Sequence, residues 1–152
     1  IMARLPYIDV NQLPQKDHDL LKIPLNLYRK LVNSPDGARA FRNLGHHIRF
    51  TSTLDARIRE LAIIQVGFLA KSEYEYCHHV SMGLEQFGLS EGDIHAIKSE
   101  SHGEPCALGE LEKRVLRSAC DMYTKLKISD EDFEFRFNHH HKRSKMYCGI
   151  CF

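Results

Sequence analysis

A charge excess of either sign is missing from this sequence. Its 21 lysines and arginines stand against 20 aspartates and glutamates, a formal charge of +1. That balance removes the electrostatic case for a nucleic-acid partner. A long apolar run is also missing. The richest stretch, Leu61 to Ala70, is too short and too interrupted to span a bilayer, so no membrane partner is expected. A disulfide framework is missing as well, because the five cysteines are odd in number and lack framework spacing. With no signal peptide or transmembrane run to be read, a reducing cytoplasm is the expected home. Ile1 precedes Met2, so the first residue reads as the artefact of a fragment. What is present is ordinary globular chemistry: 152 residues, 43% hydrophobic and 27% charged, enough for one domain with a single core.

The chemically dense stretch is 55–88, which reads as two helices joined by a short turn. Asp55 is the expected N-cap of the first, with Arg57, Arg59 and Glu60 in its opening turn. Leu61-Ala-Ile-Ile-Gln-Val-Gly-Phe-Leu-Ala70 follows, with Gln65 its only polar residue. A helix apolar on all sides is expected to be buried. The Ile63-Ile64 pair would also suit a strand, but the length of the run favours helix. Glu60 at the mouth of such a helix has a plain reading, an acid favoured by the helix dipole.

Ser72 and Glu75 have capping-box spacing and predict the start of the second helix, with Glu75 bonded back to Ser72. Tyr76, Val80, Gly83, Leu84 and Phe87 recur at helical spacing as its core face, and Gly88 is placed to end it. Glu75 and His79 lie four apart and share a second face, while Tyr74, His78 and Ser81 line an adjacent one. A carboxylate one turn from an imidazole can orient the ring. With Glu60 brought opposite, two carboxylates and one or two imidazoles would converge against an apolar wall, a cluster suited to moving protons.

Arg59-Glu60-Leu-Ala-Ile-Ile, with Ser72-Glu-Tyr-Glu75 beginning 12 residues after Glu60 and His79 beyond, resembles the carboxymuconolactone decarboxylase and alkylhydroperoxidase D-like family. The flanks Ser34-Pro-Asp-Gly-Ala-Arg-Ala-Phe41 and Gly88-Leu-Ser-Glu-Gly-Asp-Ile94 agree, and the resemblance covers residues 3 to 127. It implies an all-α, alkylhydroperoxidase D-like bundle around a central antiparallel helix pair. It also implies a homo-oligomer, a trimer or hexamer, with the site near a subunit interface. In the peroxidase branch a Cys-x-x-Cys and a following His stand where this chain has Ser72, Glu75 and His79, and an upstream glutamate matches Glu60. Both thiols are lost here, and Cys77 matches neither position. Peroxide reduction of that kind needs one thiolate to attack and a second to resolve. The chain therefore looks like the branch without the cysteine pair, which includes the decarboxylases of aromatic-acid breakdown.

Around this centre, residues 1–23 read as an extended N-terminal arm, since Pro6 and Pro14 forbid a regular helix through both, with a helical turn over Asp17 to Leu21. Residues 24–137 read as the helical domain. It takes in an amphipathic helix from Leu25 to Val32, then a helix from Ser34-Pro35 to Phe50 that carries His46 and His47 late. A short capped helix over Ser90 to Ile97 precedes a polar loop from 98 to 107 containing His102 and Cys106. A long helix from Leu108 to Leu126 has Leu111, Val115, Leu116, Ala119, Met122, Tyr123 and Leu126 inward, and Ser129 caps another start. Phe133, Phe135 and Phe137 alternate with acids in a period that suits neither helix nor core. Residues 138–152 read as a divergent polar tail, a truncation or an unrelated end, in which His139 to His141 and Cys148-Gly-Ile-Cys151 lack the context that makes such motifs functional.

The leading functional expectation is acid–base chemistry on a small organic acid, lactone or related carbonyl compound, with no cofactor or metal. His79 is the base or acid, Glu60 orients it, Glu75 or Tyr74 positions substrate, and His78 is an accessory candidate. The alternatives are a thiol-dependent peroxidase using Cys77 or the tail pair, a metal site from Glu60, Glu75, His78 and His79, and a non-enzymatic oligomeric scaffold.

Overall fold

A computed structural model describes residues 4–141 of the chain, and among these every regular element is helical. The described residues gather into two compact units that divide between Ser52 and Thr53.

The first unit holds α1 (Asn26–Leu31) and α2 (Pro35–His46), preceded by 3-10 turns over Val10–Gln12 and Gln15–Leu21. The expected arm over 1–23 is therefore only partly extended. Leu20 and Leu21 are buried with Val32 and Ala38, and Ile8 and Leu13 pack against them. The Ile8 amide donates to the Arg29 carbonyl at 3.0 Å and Asn33 Nδ2 to the Pro6 carbonyl at 3.0 Å, so the arm folds back on α1. Pro35 at the first position of α2, with Ser34 as N-cap, matches the start expected there. The helix changes to a π turn over His47–Thr51 before Phe50 is passed. Arg39 bridges Asp17 at 2.9 Å and Asp19 at 3.0 Å, and Arg42 reaches Asp19 at 2.7 Å. The Arg42 hydrogen bond, against some desolvation and with help from Arg39, holds the Asp19 carboxyl below its ordinary range.

The second unit is built on α3 (Ala56–Leu69), which packs against α4 (Glu73–Gln86), α5 (Glu91–Ser101) and α6 (Glu110–Lys125). Its core joins Leu61 and Ile64 of α3 to Leu89, Ile94, Ile97, Leu108 and Leu116, with Tyr76, Val80 and Leu84 of α4 packed against it. Contacts between α3 and α4 pair Gly67 with Tyr76 beside the turn and Glu60 with His79 further from it, so the two helices run antiparallel. Gly67 permits the close approach: a Cβ there would sit 3.3 Å from the Tyr76 backbone nitrogen. Burial of α3 is not complete all round as expected. Leu61, Ile64, Gln65 and Gly67 are covered, whereas Val66 is exposed.

The turn between α3 and α4 closes as a Schellman motif, with Ser72 N–H donating to Gly67 O at 3.1 Å and Lys71 N–H to Phe68 O at 3.1 Å. The motif requires a left-handed residue, and Lys71 fills it at φ 52° where glycine is usual. Gly88, at φ 74°, ends α4 as expected. Ser90 and Asp93 form a full capping box at the start of α5, which runs past Ile97 to Ser101, so the loop expected from residue 98 begins later. Ser101 Oγ donates to the Ile97 carbonyl at 2.7 Å in that added turn.

Two further expectations are corrected. Tyr123 and Leu126 do not face inward: Tyr123 is 46% exposed, α6 ends at Lys125, and Leu126 takes a left-handed conformation at φ 56° with 84% of its surface exposed. The Phe133–Phe137 segment is helical, part of α7 (Asp130–His141). Ser129 Oγ accepts from the Asp132 amide at 3.2 Å, the cap expected there. Arg114 ties α7 to α6 through Asp132 at 2.8 Å and Glu131 at 3.0 Å, and its guanidinium lies 4.4 Å from the Phe135 ring centre. Charge pairing and a cation–π contact thus organise a segment whose apolar period is uninformative. Residues 142–152, and with them Cys148 and Cys151, lie outside the described residues, as do the side chains of His139 to His141.

Asp93 links the helix starts. Arg57 of α3 donates to its Oδ1 at 2.5 Å and the Ser90 amide to its Oδ2 at 2.9 Å. Burial pushes the Asp93 carboxyl up, but Arg57 and the two Ser90 donors outweigh it, and the net direction is downward. A carboxyl lowered in the folded state stabilises the fold above its unfolded value and loses that contribution as pH falls through the folded one. Asp93→Asn should cost about 1–2 kcal/mol at neutral pH. Urea midpoints measured from pH 7 down to below about 4, the unfolded Asp range, should fall less steeply for the variant than for the parent. Parallel acid limbs would remove Asp93 from the account. At the α3–α4 turn, Lys71→Gly should raise the midpoint by the equivalent of about 0.5–1 kcal/mol, since relief of the left-handed strain exceeds the added chain entropy. A fall in the midpoint would contradict that balance.

Candidate functional site

Glu60 enters the interior because α3 starts where it does. Asp55 accepts the Ile58 amide at 3.0 Å and sets Ala56 as the first helical residue. Glu60 is therefore the fifth helical residue, beyond the first turn, and its plain reading as a first-turn acid is corrected. Its side chain has 0% exposure. A carboxylate so placed must be paired or neutralised. Arg59, itself 2% exposed, donates Nε to Glu60 Oε1 at 3.1 Å, and its guanidinium lies 4.6 Å from the Phe87 ring centre.

The other carboxylate oxygen meets the second helix. Glu60 Oε2 lies 2.7 Å from His79 Nδ1, joining α3 to α4. With Arg59 on its other oxygen the carboxylate acts as acceptor, so Nδ1 is the donor, and in a neutral ring Nε2 then keeps its lone pair. His79 is 15% exposed. Its Nε2 lies on the side of Glu75, whose Oε2 is 3.8 Å away and whose side chain is 47% exposed. That separation is too long for a hydrogen bond but suits an ion pair once the ring is protonated. The arrangement is an imidazole fixed from behind by a buried carboxylate, with its second nitrogen toward a half-exposed acid. It can take up a proton at Nε2 and hold the resulting charge between two carboxylates.

The expected capping box at Ser72 is not formed. Ser72 is the N-cap residue of α4, but its side chain makes no capping bond, and the Glu75 carboxylate points to His79 instead. Tyr74 and His78 pair with each other. Their ring centres are 4.2 Å apart and His78 Nδ1 lies 2.9 Å from the Tyr74 carbonyl, so the His78 hydrogen bond does not lead to Glu60. The roughly 100° turn per helical residue accounts for the divergence of His78 and His79. The His46 and Phe50 rings meet at a tilt with their centres 5.2 Å apart, and His47 Nδ1 lies 2.7 Å from Thr51 Oγ1. Among the described residues no three of His, Cys, Asp and Glu gather as a metal site, which counts against the four-residue metal reading. Cys77 is exposed on α4, and Cys106 donates to Glu100 Oε2 at 3.6 Å.

Arg59 is the participant that residue spacing does not reveal. Adjacent helical residues do not face each other by the usual rules, so its pairing with Glu60 is set by the surrounding packing. Gln65 is a second: its Nε2 donates to Ser101 Oγ at 2.8 Å, which makes the lone polar residue of the apolar run a buried tie to α5.

Helices of this order, with a glutamate–histidine pair bridging the central two, define an all-α bundle. The sequence model of the carboxymuconolactone decarboxylase family matches residues 35–117, more than half of the chain. The chain belongs to the carboxymuconolactone decarboxylase family. No curated protein and no solved structure matches it. None of its described helices is long and apolar enough to cross a membrane.

The buried pair should dominate the stability of the site. Glu60→Gln keeps a partner for His79 but removes the carboxylate facing the Arg59 guanidinium, and should cost about 3 kcal/mol. His79→Gln, which replaces one neutral donor by another, should cost nearer 1 kcal/mol. Urea unfolding of both variants checks the order, and equal costs would show that the Arg59–Glu60 pairing is not the controlling term.

Proposed function

We propose that this protein is an acid–base enzyme acting on a small organic acid, lactone or related carbonyl compound. The observation that carries the reading is the 2.7 Å contact between Glu60 Oε2 and His79 Nδ1, which leaves Nε2 as the proton-accepting atom. In the forward step the Nε2 lone pair takes a proton from a carbon next to a carbonyl group, and the bonding electrons remain on the substrate as an enolate. Alternatively it takes the proton of a water molecule as that water attacks a lactone carbonyl. The imidazolium so formed is stabilised by Glu60 behind it and Glu75 beside it, and returns the proton to carbon or to the leaving oxygen. Each such proton transfer supplies on the order of a hundredfold or more in rate.

Loss of both thiols at the Ser72 and Glu75 positions supports this reading over a thiol peroxidase of the two-cysteine kind. Tyr74 and His78 remain candidates for positioning substrate. Assembly as a trimer or hexamer in the cytoplasm belongs to the same proposal and rests on the family.

Turnover on a panel of small lactones and carbonyl carbon acids tests the role. In a preparation that turns one of them over, His79→Gln should lower the rate on the order of a hundredfold or more. Unchanged turnover would remove His79 from the mechanism.

A further inference from the structure

We propose that the outward face of α2, with the π turn that follows it, is an interface with a second copy of this chain and seats on the acidic second unit of that copy. The inference rests on the assembly named with the proposed function and gives that assembly a surface.

The polarity of α2 is turned inside out. A surface helix ordinarily lays its apolar stripe on the core and leaves its charges to water. Here Ala38 is buried in the core of the first unit, and the charged side chains beside it are tied to the same unit, Arg39 to Asp17 and Asp19, and Arg42 to Asp19. Phe41 and Leu44, three apart and so on one face, point the other way and are 46% and 59% exposed. Phe50 of the π turn is also 59% exposed, and its ring meets that of His46 on α2. Rolling the helix over to bury Phe41 and Leu44 would break all three ion pairs. The fold thus holds an apolar stripe outward, which marks a contact surface.

Charge selects the occupant. Residues 1–52 carry eight lysines and arginines against four acids, a formal +4, whereas residues 53–152 carry 13 against 16, a formal −3. Two first units set face to face would bring like charge together, and a first unit set on a second unit brings opposite charge together. The second unit also exposes aromatic rings flanked by acids: Tyr74 between Glu73 and Glu75, and Phe133 between Asp132 and Glu134. Such a contact joins two different surfaces head to tail, and head-to-tail contacts close into rings where the rotation permits. Phe41, Leu44 and Phe50 are too few to supply the usual interface of about 800 Å² per partner, so they form its apolar centre and the opposed charges its rim.

Sedimentation velocity of the 152-residue chain at low salt, over a concentration series, tests this with two variants at one position. Leu44 is exposed and belongs neither to a core cluster nor to the Glu60–His79 pair, so the fold tolerates its replacement. The parent should self-associate. Leu44→Asp and Leu44→Lys remove the same apolar contact, and each should raise the dissociation constant about tenfold or more. Against an acidic partner surface the aspartate should cost about threefold more than the lysine. Phe41→Ser, at the next position of the stripe, should weaken association in the same direction. A parent that stays monomeric overturns the interface and the proposed assembly together. An oligomer unmoved by all three variants overturns this surface alone, and leaves the assembly and the acid–base reading standing. A lysine cost equal to or above that of aspartate overturns the seating on the acidic unit.

Discussion

A carboxylate with no exposure to water has to be satisfied inside the protein, and Glu60 imposes that requirement on the second unit. One oxygen is held by Arg59 of the same helix, the other by His79 of the next. Breaking either leaves polarity stranded in the core, so the bond fixes how α3 and α4 align. Gly67 lets the backbones approach near the turn, and Lys71 accepts a left-handed conformation to close it. The local strain and the missing side chain at Gly67 are offset by what the alignment achieves: a histidine clamped at one nitrogen, with the other turned toward a half-exposed acid.

Much of this was legible in the residues. Asp55, Ser90, Ser129 and Gly88 carry start and stop chemistry that works over three or four residues, and the structure uses each of them. The apolar period of α6 located its buried residues Val115 and Leu116. The facing of Glu60 and His79 followed from a motif resemblance rather than from periodicity, because helical period alone cannot say which faces of two helices meet.

The misreadings have a common cause. A capping box and an i,i+4 pair compete for the same glutamate, and spacing alone cannot decide between them. Glu75 goes to His79 because α4 brings that ring within reach while Ser72 is engaged by its backbone in the Schellman turn. Leu126 counted as inward only as long as the helix was extended through it. The Phe133 segment hid its helix because long-range ion pairs from Arg114, not apolar spacing, hold it in place. Arg59 gives no signal in the residue spacing because a buried neighbour pair is a tertiary outcome.

The chemistry assigned to the site depends on which ring nitrogen of His79 carries the proton. Long-range proton–nitrogen correlation spectra of the imidazole, recorded with His79 in its neutral form, measure this directly. The account predicts a ring protonated at Nδ1 with Nε2 bare, the minority form of free histidine imposed here by Glu60. A ring protonated at Nε2, or one averaging between the two forms as an unrestrained histidine does, would contradict it.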